Sequence, residues 1–453
     1  MTASPSRASI GVPTDGFSRR RFLELGFGAA AASALAACGG GKSAEDAAGG
    51  GATSGEKFTG EYNGPKVTLS YWNGFTGGDG PFMDQLVKDF MAENPKIAVK
   101  QNTVEWGQYY QRMPAAVTAG KGPDVGVMHM DQLATNAVRK IIVPVDDLVE
   151  SLQLSEDNFT TEVWNAGVFQ DARYGVPLDV HSLGMYYNED QFSQAGVEEA
   201  PTDEESFMAA LDQLQEVNPQ PFWMPNLWPA HLMFLSLLWQ NGGEPYDPEN
   251  SKATFDSDAG VQALTWMTDI VDQGYSPKNV AQDSQYVGFK NSKVSITWDG
   301  IWQINDLKAS KLPFALAPIP QIGSTSAVWA NSHNFYVTKQ VAEDDNKLQA
   351  AKVFVDWIIK KSADWAGAGM IPASKSVRES AGVQEATQAP VAAQIESMRF
   401  LPPVPGLGDV TTQTLQVAVA DAVLGKRAPA EALKEEAGKG SQLMEANKQK
   451  FGA

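Results

Sequence analysis

The 453-residue chain carries 54 acidic against 35 basic side chains, a formal net charge of −19. A field of that sign argues against nucleic acid or an anionic membrane as a partner held through a basic surface, and speaks mostly to solubility. Its one cysteine, Cys38, leaves no intramolecular disulfide to form, and no run of about 18 consecutive apolar residues is present to make a spanning helix.

The front of the chain reads as an address. Ser18-Arg19-Arg20-Arg21-Phe22-Leu23 sets clustered positive charge before a mostly apolar run, Phe27 to Ala37, which is too short to span a bilayer. The string resembles a twin-arginine export signal. Leu35-Ala36-Ala37-Cys38 resembles a bacterial lipoprotein box, in which the cysteine becomes the lipidated first residue of the exported chain. The alternative is an ordinary secretory signal with an incidental cysteine. Residues 1–37 hold four Arg against two acids, so removing their +2 leaves the exported chain near −21. Residues 38–64, rich in Gly, Ala and charge with little to bury, read as a flexible tether.

About 390 residues remain, enough for two or three domains. Val67, Leu69 and Tyr71 alternate with polar residues as a strand does, and the strand runs into the loop Trp72–Gly78. Met83, Leu86, Val87, Phe90 and Met91 then fall at helical spacing until Asn94-Pro95 stops the helix. A strand from Ile97, a helical stretch ending near Gly120 and a strand over Pro123–Met128 follow. Strand, helix, strand, helix, strand predicts a parallel sheet with helices on both faces. Ligands of such sheets sit at the carboxyl ends of the strands, here Trp72–Gly78 and His129–Gln132. No phosphate-binding loop accompanies the first turn, so nothing points to a nucleotide. Further on, helices are expected at Glu204–Leu214, His231–Gln240, Ala259–Gln273 and Lys347–Lys361, and strands at Val294–Trp298 and Phe314–Ala317. Phe335-Tyr336-Val337 reads as a strand returning to the first sheet.

Short strings spread along the chain carry a resemblance: V-T-L-S-Y-W-N-G-F (67–75), G-P-D-V (122–125), Y-G-V-P-L-D (174–179), M-Y-Y-N-E-D-Q-F (185–192), W-D-G-I-W-Q (298–303), G-M-I-P-A-S-K-S-V (369–377) and A-P-A-E-A-L (428–433). Their order and spacing resemble the family 1 extracellular solute-binding proteins, the maltose-binding-protein-like group. The resemblance implies a two-lobed α/β fold of the periplasmic-binding-protein kind, with a hinged cleft between lobes that are each discontinuous in sequence. It places residues 65–180 and 322–378 in lobe 1 and residues 181–321 and 379–453 in lobe 2, with crossings near 178–184, 318–324 and 375–385. It also implies closure on the ligand and docking on the transmembrane permease subunits of an ATP-driven importer. Pro114, inside the expected second helix of lobe 1, is a departure that kinks or starts that helix.

A sugar offers apolar ring faces and a rim of hydroxyls, so its site needs aromatic plates and polar side chains at their edges. The 12 Trp supply plates, although Trp266 and Trp357, on helical patterns, read as core. Trp72, Asn73, Phe75 and Thr76 follow the first strand, with Trp72 equally able to cap the core, and Asp131 follows the third. Asp179 and His181 share one side of an extended crossing segment, unless their polar groups only satisfy backbone. Trp223 and Trp228 lie in a proline-flanked loop, and Trp239 and Asn241 close the helix after it, where Trp239 reads equally as core. Trp298, Asp299 and Trp302 form the strand-to-helix turn that the resemblance places in the cleft. Asp299 caps that helix in the alternative reading. Trp329, His333 and Asn334 precede the returning strand. The four His (129, 181, 231 and 333) fall in these loops without metal-ligand spacing, so no metal or cofactor is expected and hydroxyl recognition accounts for them.

A phosphorylated solute such as a glycerophosphodiester would want Arg or Lys in the cleft, and only Arg112, Arg173 and Arg399 could reach in. A glycoside hydrolase would need paired carboxylates, which Asp131, Asp179 and Asp299 leave open. The reading adopted is a monomeric, lipid-anchored, non-enzymatic carbohydrate-binding component on the outer face of the cytoplasmic membrane.

Overall fold

The structure, a computed structural model, describes residues 60–452; the export signal, Cys38 and most of the tether expected at 38–64 lie outside the described residues. The period-two pattern forms β1 (Val67–Asn73), with Leu69 and Tyr71 buried. The helical pattern forms α1 (Gly80–Glu93), which buries Met83, Leu86, Val87 and Phe90 along one face. Next come β2 (Ile97–Thr103), α2 (Trp106–Thr118), β3 (Val125–His129) and α3 (Met130–Val138). β1 runs parallel to both β2 and β3. Pro114 lies within α2 but does not start it. That helix begins at Trp106, where the Glu105 carboxylate accepts hydrogen bonds from the backbone N–H groups of Gly107 and Gln108.

The returning strand, β11 (His333–Val337), lies antiparallel to β3 on one side and to β6 (Val176–Pro177) on the other. The first sheet therefore has the order β2-β1-β3-β11-β6. A second sheet is organised on β7 (Asp179–Asn188), which is buried at every residue except Tyr187. β8 (Ile296–Gly300), β9 (Phe314–Ala317), β10 (Val328–Asn331) and β12 (Ile371–Pro372) all pair with β7, and β13 (Met398–Arg399) pairs with β10. β4 (Val168–Phe169) and β5 (Ala172–Arg173) make a separate ribbon.

The chain leaves the first sheet for the second at Leu178, between β6 and β7, and returns at Ser332, between β10 and β11. The first passage falls at the start of the expected 178–184 crossing. The second comes later than 318–324, because Ala330 and Asn331 still pair with Ser182 and His181 of β7 and the Trp329 N–H is held by Ser236 Oγ. The expected 375–385 crossing is occupied by two short helices, Lys375–Arg378 and Ala381–Gln384.

Hydrophobic clusters fill both faces of the first sheet; the smaller joins Tyr109, Met113, Met128, Leu133 and Tyr336 under α2 and α3. On the second-sheet side, the helix Ala230–Gln240 is buried all round, as its unbroken apolar sequence requires. Trp298 is fully enclosed there, stacked on Trp266 with ring centroids 5.6 Å apart.

Candidate ligand site

Asp179 stands where the two sheets exchange strands. Its carboxylate is fully buried and accepts four kinds of donor. The backbone N–H of His333 reaches it at 3.1 Å, His333 Nδ1–H at 2.9 Å, His181 Nδ1–H at 3.2 Å and the Trp365 indole N–H at 2.7 Å. Burial by itself raises a carboxyl pKa. Here the facing His333 and the hydrogen bonds from both imidazoles outweigh it and hold Asp179 well below the ordinary carboxylate range. The extended spacing of 179 and 181 on β7 puts both side chains on one side of the strand. Burial and the neighbouring His333 lower His181 to about 4. His129, at the end of β3, is pushed down in the same direction by burial and then by His333 and His181.

Aromatic rings enclose this hub. Phe75 and Trp106 pack on His333 at 4.9 and 5.3 Å between centroids, the Trp106 ring nearly parallel to the imidazole. On the other side, Trp302 and Trp329 stand 5.8 and 6.0 Å from His181. Trp228, 37% exposed, continues the row 6.2 Å from Trp302 and 5.3 Å from His231. Asp131, in the first turn of α3, accepts from Asn331 Nδ2 at 3.3 Å and so ties α3 to the end of β10. None of the three arginines left open by the sequence joins the cluster. Arg112 is on the exposed side of α2. The Arg173 guanidinium is bonded to the Trp164 and Gly175 carbonyls, and Arg399 is paired with Glu244.

The structure thus brings together Phe75, Asp131, Asp179, His181, Trp228, Trp302, Trp329 and His333. Others it places elsewhere. Trp298 is sealed in the core beside Phe207 and Phe222, on a strand buried at every residue. Asp299 is also buried. Its carboxylate accepts from the N–H of Gly300 at 2.7 Å and more weakly from Gln303 and Gln285, so it serves its own turn, and burial raises its pKa to about 7. Trp239 is buried with its indole N–H on Glu244, and Asn241 closes the end of its own helix on the Leu237 carbonyl. Trp72 packs on Tyr109 in the smaller core cluster. Asn73 is buried and accepts from the Phe75 N–H, Thr76 is exposed, and Asn334 is buried against Ser332. Trp223 lines a surface cavity of about 270 Å³ with Asp283, Val287 and Lys293. A second cavity, about 250 Å³, lies between Phe169, Asn250, Pro405 and Met444. Neither gathers ring faces around buried polar groups, so the Asp179 cluster is the candidate site.

Residues 74–365 match the family model described as bacterial extracellular solute-binding protein. The chain belongs to this family. Among sequence relatives of this solute-binding protein, a binding protein of Brucella abortus is 24% identical over 400 residues, covering 84% of this chain and 93% of that one. The arabinooligosaccharide-binding protein of Bacillus subtilis is 24% identical over 247 residues, 52% of this chain and 55% of that one. Among solved structures, the GacH receptor of Streptomyces glaucescens, determined unliganded and with acarbose, superposes with a TM-score of 0.75 at 21% identity, over 83% of this chain and 98% of that one. The fold is accordingly the two-lobed α/β architecture, and the two sheets, with strands drawn from separated parts of the chain, are its lobes. Such a protein works outside the cytoplasm.

Sequence reasoning missed several members of the site in this solute-binding protein. Trp106 follows the carboxyl end of β2, the same position relative to its strand that singled out Trp72–Gly78, and that rule applied to β2 would have found it. His129 was noted within its loop without being singled out as a ligand residue. Tyr110 (hydroxyl to His129 Nδ1, 2.6 Å) and Trp365 are helical residues with no local signal.

Proposed function

We propose that this chain captures a neutral carbohydrate, a disaccharide or longer, between its lobes and delivers it to the permease subunits of an ATP-driven importer. The observation that carries the reading is the row of ring faces, Trp106, Trp302, Trp329 and Trp228, around buried polar groups, with Arg173 and Arg399 engaged elsewhere and Arg112 on the exposed side of its helix. Flat indoles suit the apolar faces of a pyranose, and Asp131, Asn331 and the histidines suit its hydroxyls. A phosphate ester would need the cations that this cluster lacks. The binding role involves no turnover: Asp179 and Asp299 spend their oxygens on internal donors rather than flanking an open space. The protein is exported by the twin-arginine or the general secretory route, is tethered to the outer face of the cytoplasmic membrane through lipid on Cys38 and acts as a monomer.

Thermal unfolding against a panel of mono-, di- and oligosaccharides and glycerophosphodiesters tests the solute class. A ligand at 100 times its Kd stabilises by about 2.7 kcal/mol. A midpoint raised by neutral oligosaccharides and abolished by Trp228→Ala or Trp302→Ala is the expected result. A shift with phosphate esters alone would overturn the neutral-sugar reading. Replacing Cys38 by Ser should move the protein from the membrane to the soluble envelope fraction.

A further inference from the structure

Three of the four histidines meet although they come from three separate strands: His129 ends β3, His181 lies near the start of β7 and His333 opens β11. One nitrogen from each lies within 4.8 Å of the others. His181 and His333 both direct Nδ1 at the Asp179 carboxylate, which can only accept, so each carries its proton there and keeps Nε2 as a lone pair. Nδ1 of His129 meets the Tyr110 hydroxyl oxygen, which also accepts the His129 backbone N–H at 3.0 Å. With Nδ1–H donating to that oxygen, the third Nε2 is free as well. Among the described residues no hydrogen bond to the Nε2 of any of the three is formed. Imidazoles held at Nδ1 by a carboxylate and offering Nε2 are how proteins orient histidine ligands to metal ions.

We propose that His129, His181 and His333 form a binding site for a divalent transition-metal ion of the zinc class, with Asp179 and Tyr110 orienting the rings. Three nitrogens around a tetrahedral ion at ~2.05 Å stand about 3.3 Å apart, so rings whose nitrogens lie within 4.8 Å of one another need only a small approach to bind it. Three protein ligands leave a fourth position for an oxygen from water or from the bound solute. The Asp179 charge offsets part of the ion's charge in a buried setting, and among the described residues no thiolate or further carboxylate joins the three imidazoles.

The test uses the untagged full chain, stripped with a chelator and dialysed. Zn²⁺ is titrated by calorimetry, and Co²⁺ is added in parallel as a visible probe. The expected result is one equivalent bound with a submicromolar Kd and the strong visible absorption of four-coordinate Co²⁺. His129→Gln should weaken binding by at least tenfold, and Asp179→Asn by about 10–100-fold. Should the variants fail to fold by circular dichroism, X-ray absorption of the Zn²⁺-loaded natural protein decides the matter by counting imidazoles. Three supports the site and fewer than two overturns it. Absence of a stoichiometric binding phase, or binding unchanged in a folded His129→Gln, also overturns it. Sugar-induced thermal shifts measured in chelator read the carbohydrate proposal separately, so either can fail alone.

Discussion

Trp298 and Trp302 stand four residues apart, the first in β8 and the second in the turn after it, and the structure places them in opposite surroundings. Trp298 is fully buried, stacked on Trp266 at 5.6 Å and bounded by Phe207 and Phe222 at 5.4 and 5.5 Å. Truncating such a ring to Ala costs about 3–5 kcal/mol in transfer and cavity terms. Its indole N–H finds no partner in the core, so the native residue already bears a desolvation cost and the loss belongs near about 3 kcal/mol. Roughly 390 residues unfolding with about 2.1 cal/mol/K each give an entropy near 0.8 kcal/mol/K, so Trp298→Ala should lower Tm by roughly 4 °C. Trp302 is half-buried and touches its neighbours edge-on or tilted, so its truncation should cost about 1 kcal/mol and roughly 1 °C. Oligosaccharide binding should behave in the opposite way: close to natural affinity in Trp298→Ala, and at least tenfold weaker in Trp302→Ala. Calorimetric unfolding and ligand titration on the same preparations read both axes. A Trp298→Ala protein as stable as the natural one, or a Trp302→Ala protein binding with full affinity, would refute this division of roles.

Three further outcomes are expected. Burial raises Asp299 to about 7 in the fold against 3.8 for the free side chain. Its contribution is therefore fully present below about pH 4 and is lost as pH rises through 7, on the order of 4 kcal/mol across the whole interval. Asp299→Asn should flatten that part of the stability–pH curve, and parallel curves for the two proteins would contradict it. Asp124 is buried, accepting from the Ser70 N–H and Lys347 Nζ, each at 2.8 Å. Asp124→Ala leaves the strand N–H unsatisfied and should cost about 1–3 kcal/mol by denaturant titration, whereas Lys347→Met, removing a partly exposed partner, should cost under about 1 kcal/mol. At Gly126 any β-carbon would overlap the Tyr336 ring, whose hydroxyl meets that of Tyr109 in the core. Gly126→Ala should destabilise by about 1–3 kcal/mol while sugar affinity stays unchanged.

Many of the helices and strands were legible because periodicity is a local signal. Helices at Glu204–Gln215, Ala230–Gln240 and Asp258–Asp272, and the strand at Phe314–Ala317, fall within a residue or so of the sequence reading. The resemblance put the second crossing near 318–324, ahead of the stretch Trp329 to Val337 that leads into the returning strand. In space Ser332 divides it into two strands in different sheets. Asp179, His181 and His333, singled out from the sequence around strand ends and a crossing, do meet in the candidate site. Composition misled at Trp298, because β8 pairs with β7 inside the core and is buried at every residue, with the rings of Phe207, Phe222 and Trp266 around the indole. The convergence of His129, His181 and His333 was beyond reach of spacing rules, because strand pairing across long sequence separations creates it.

If the solute binds at the polar hub as proposed, the hub's position would couple capture to shape. Asp179, His181 and His333 lie within a few residues of Leu178 and Ser332, where the chain passes between lobes, and Leu178 N–H is itself bonded to the His333 carbonyl at 2.8 Å. Phe75 and Trp106 belong to the first lobe, Trp302 and Trp228 to the second. A rotation about those two passages would carry the plates apart while barely displacing the carboxylate and its two imidazoles. A solute resting on the hub alone would gain a few hydrogen bonds. The same solute stacked by rings from both lobes would gain their dispersion and the exclusion of water as well. Differential affinity for the closed form is what shifts a hinge equilibrium, and dividing the aromatic faces between lobes while keeping the polar groups near the axis provides it.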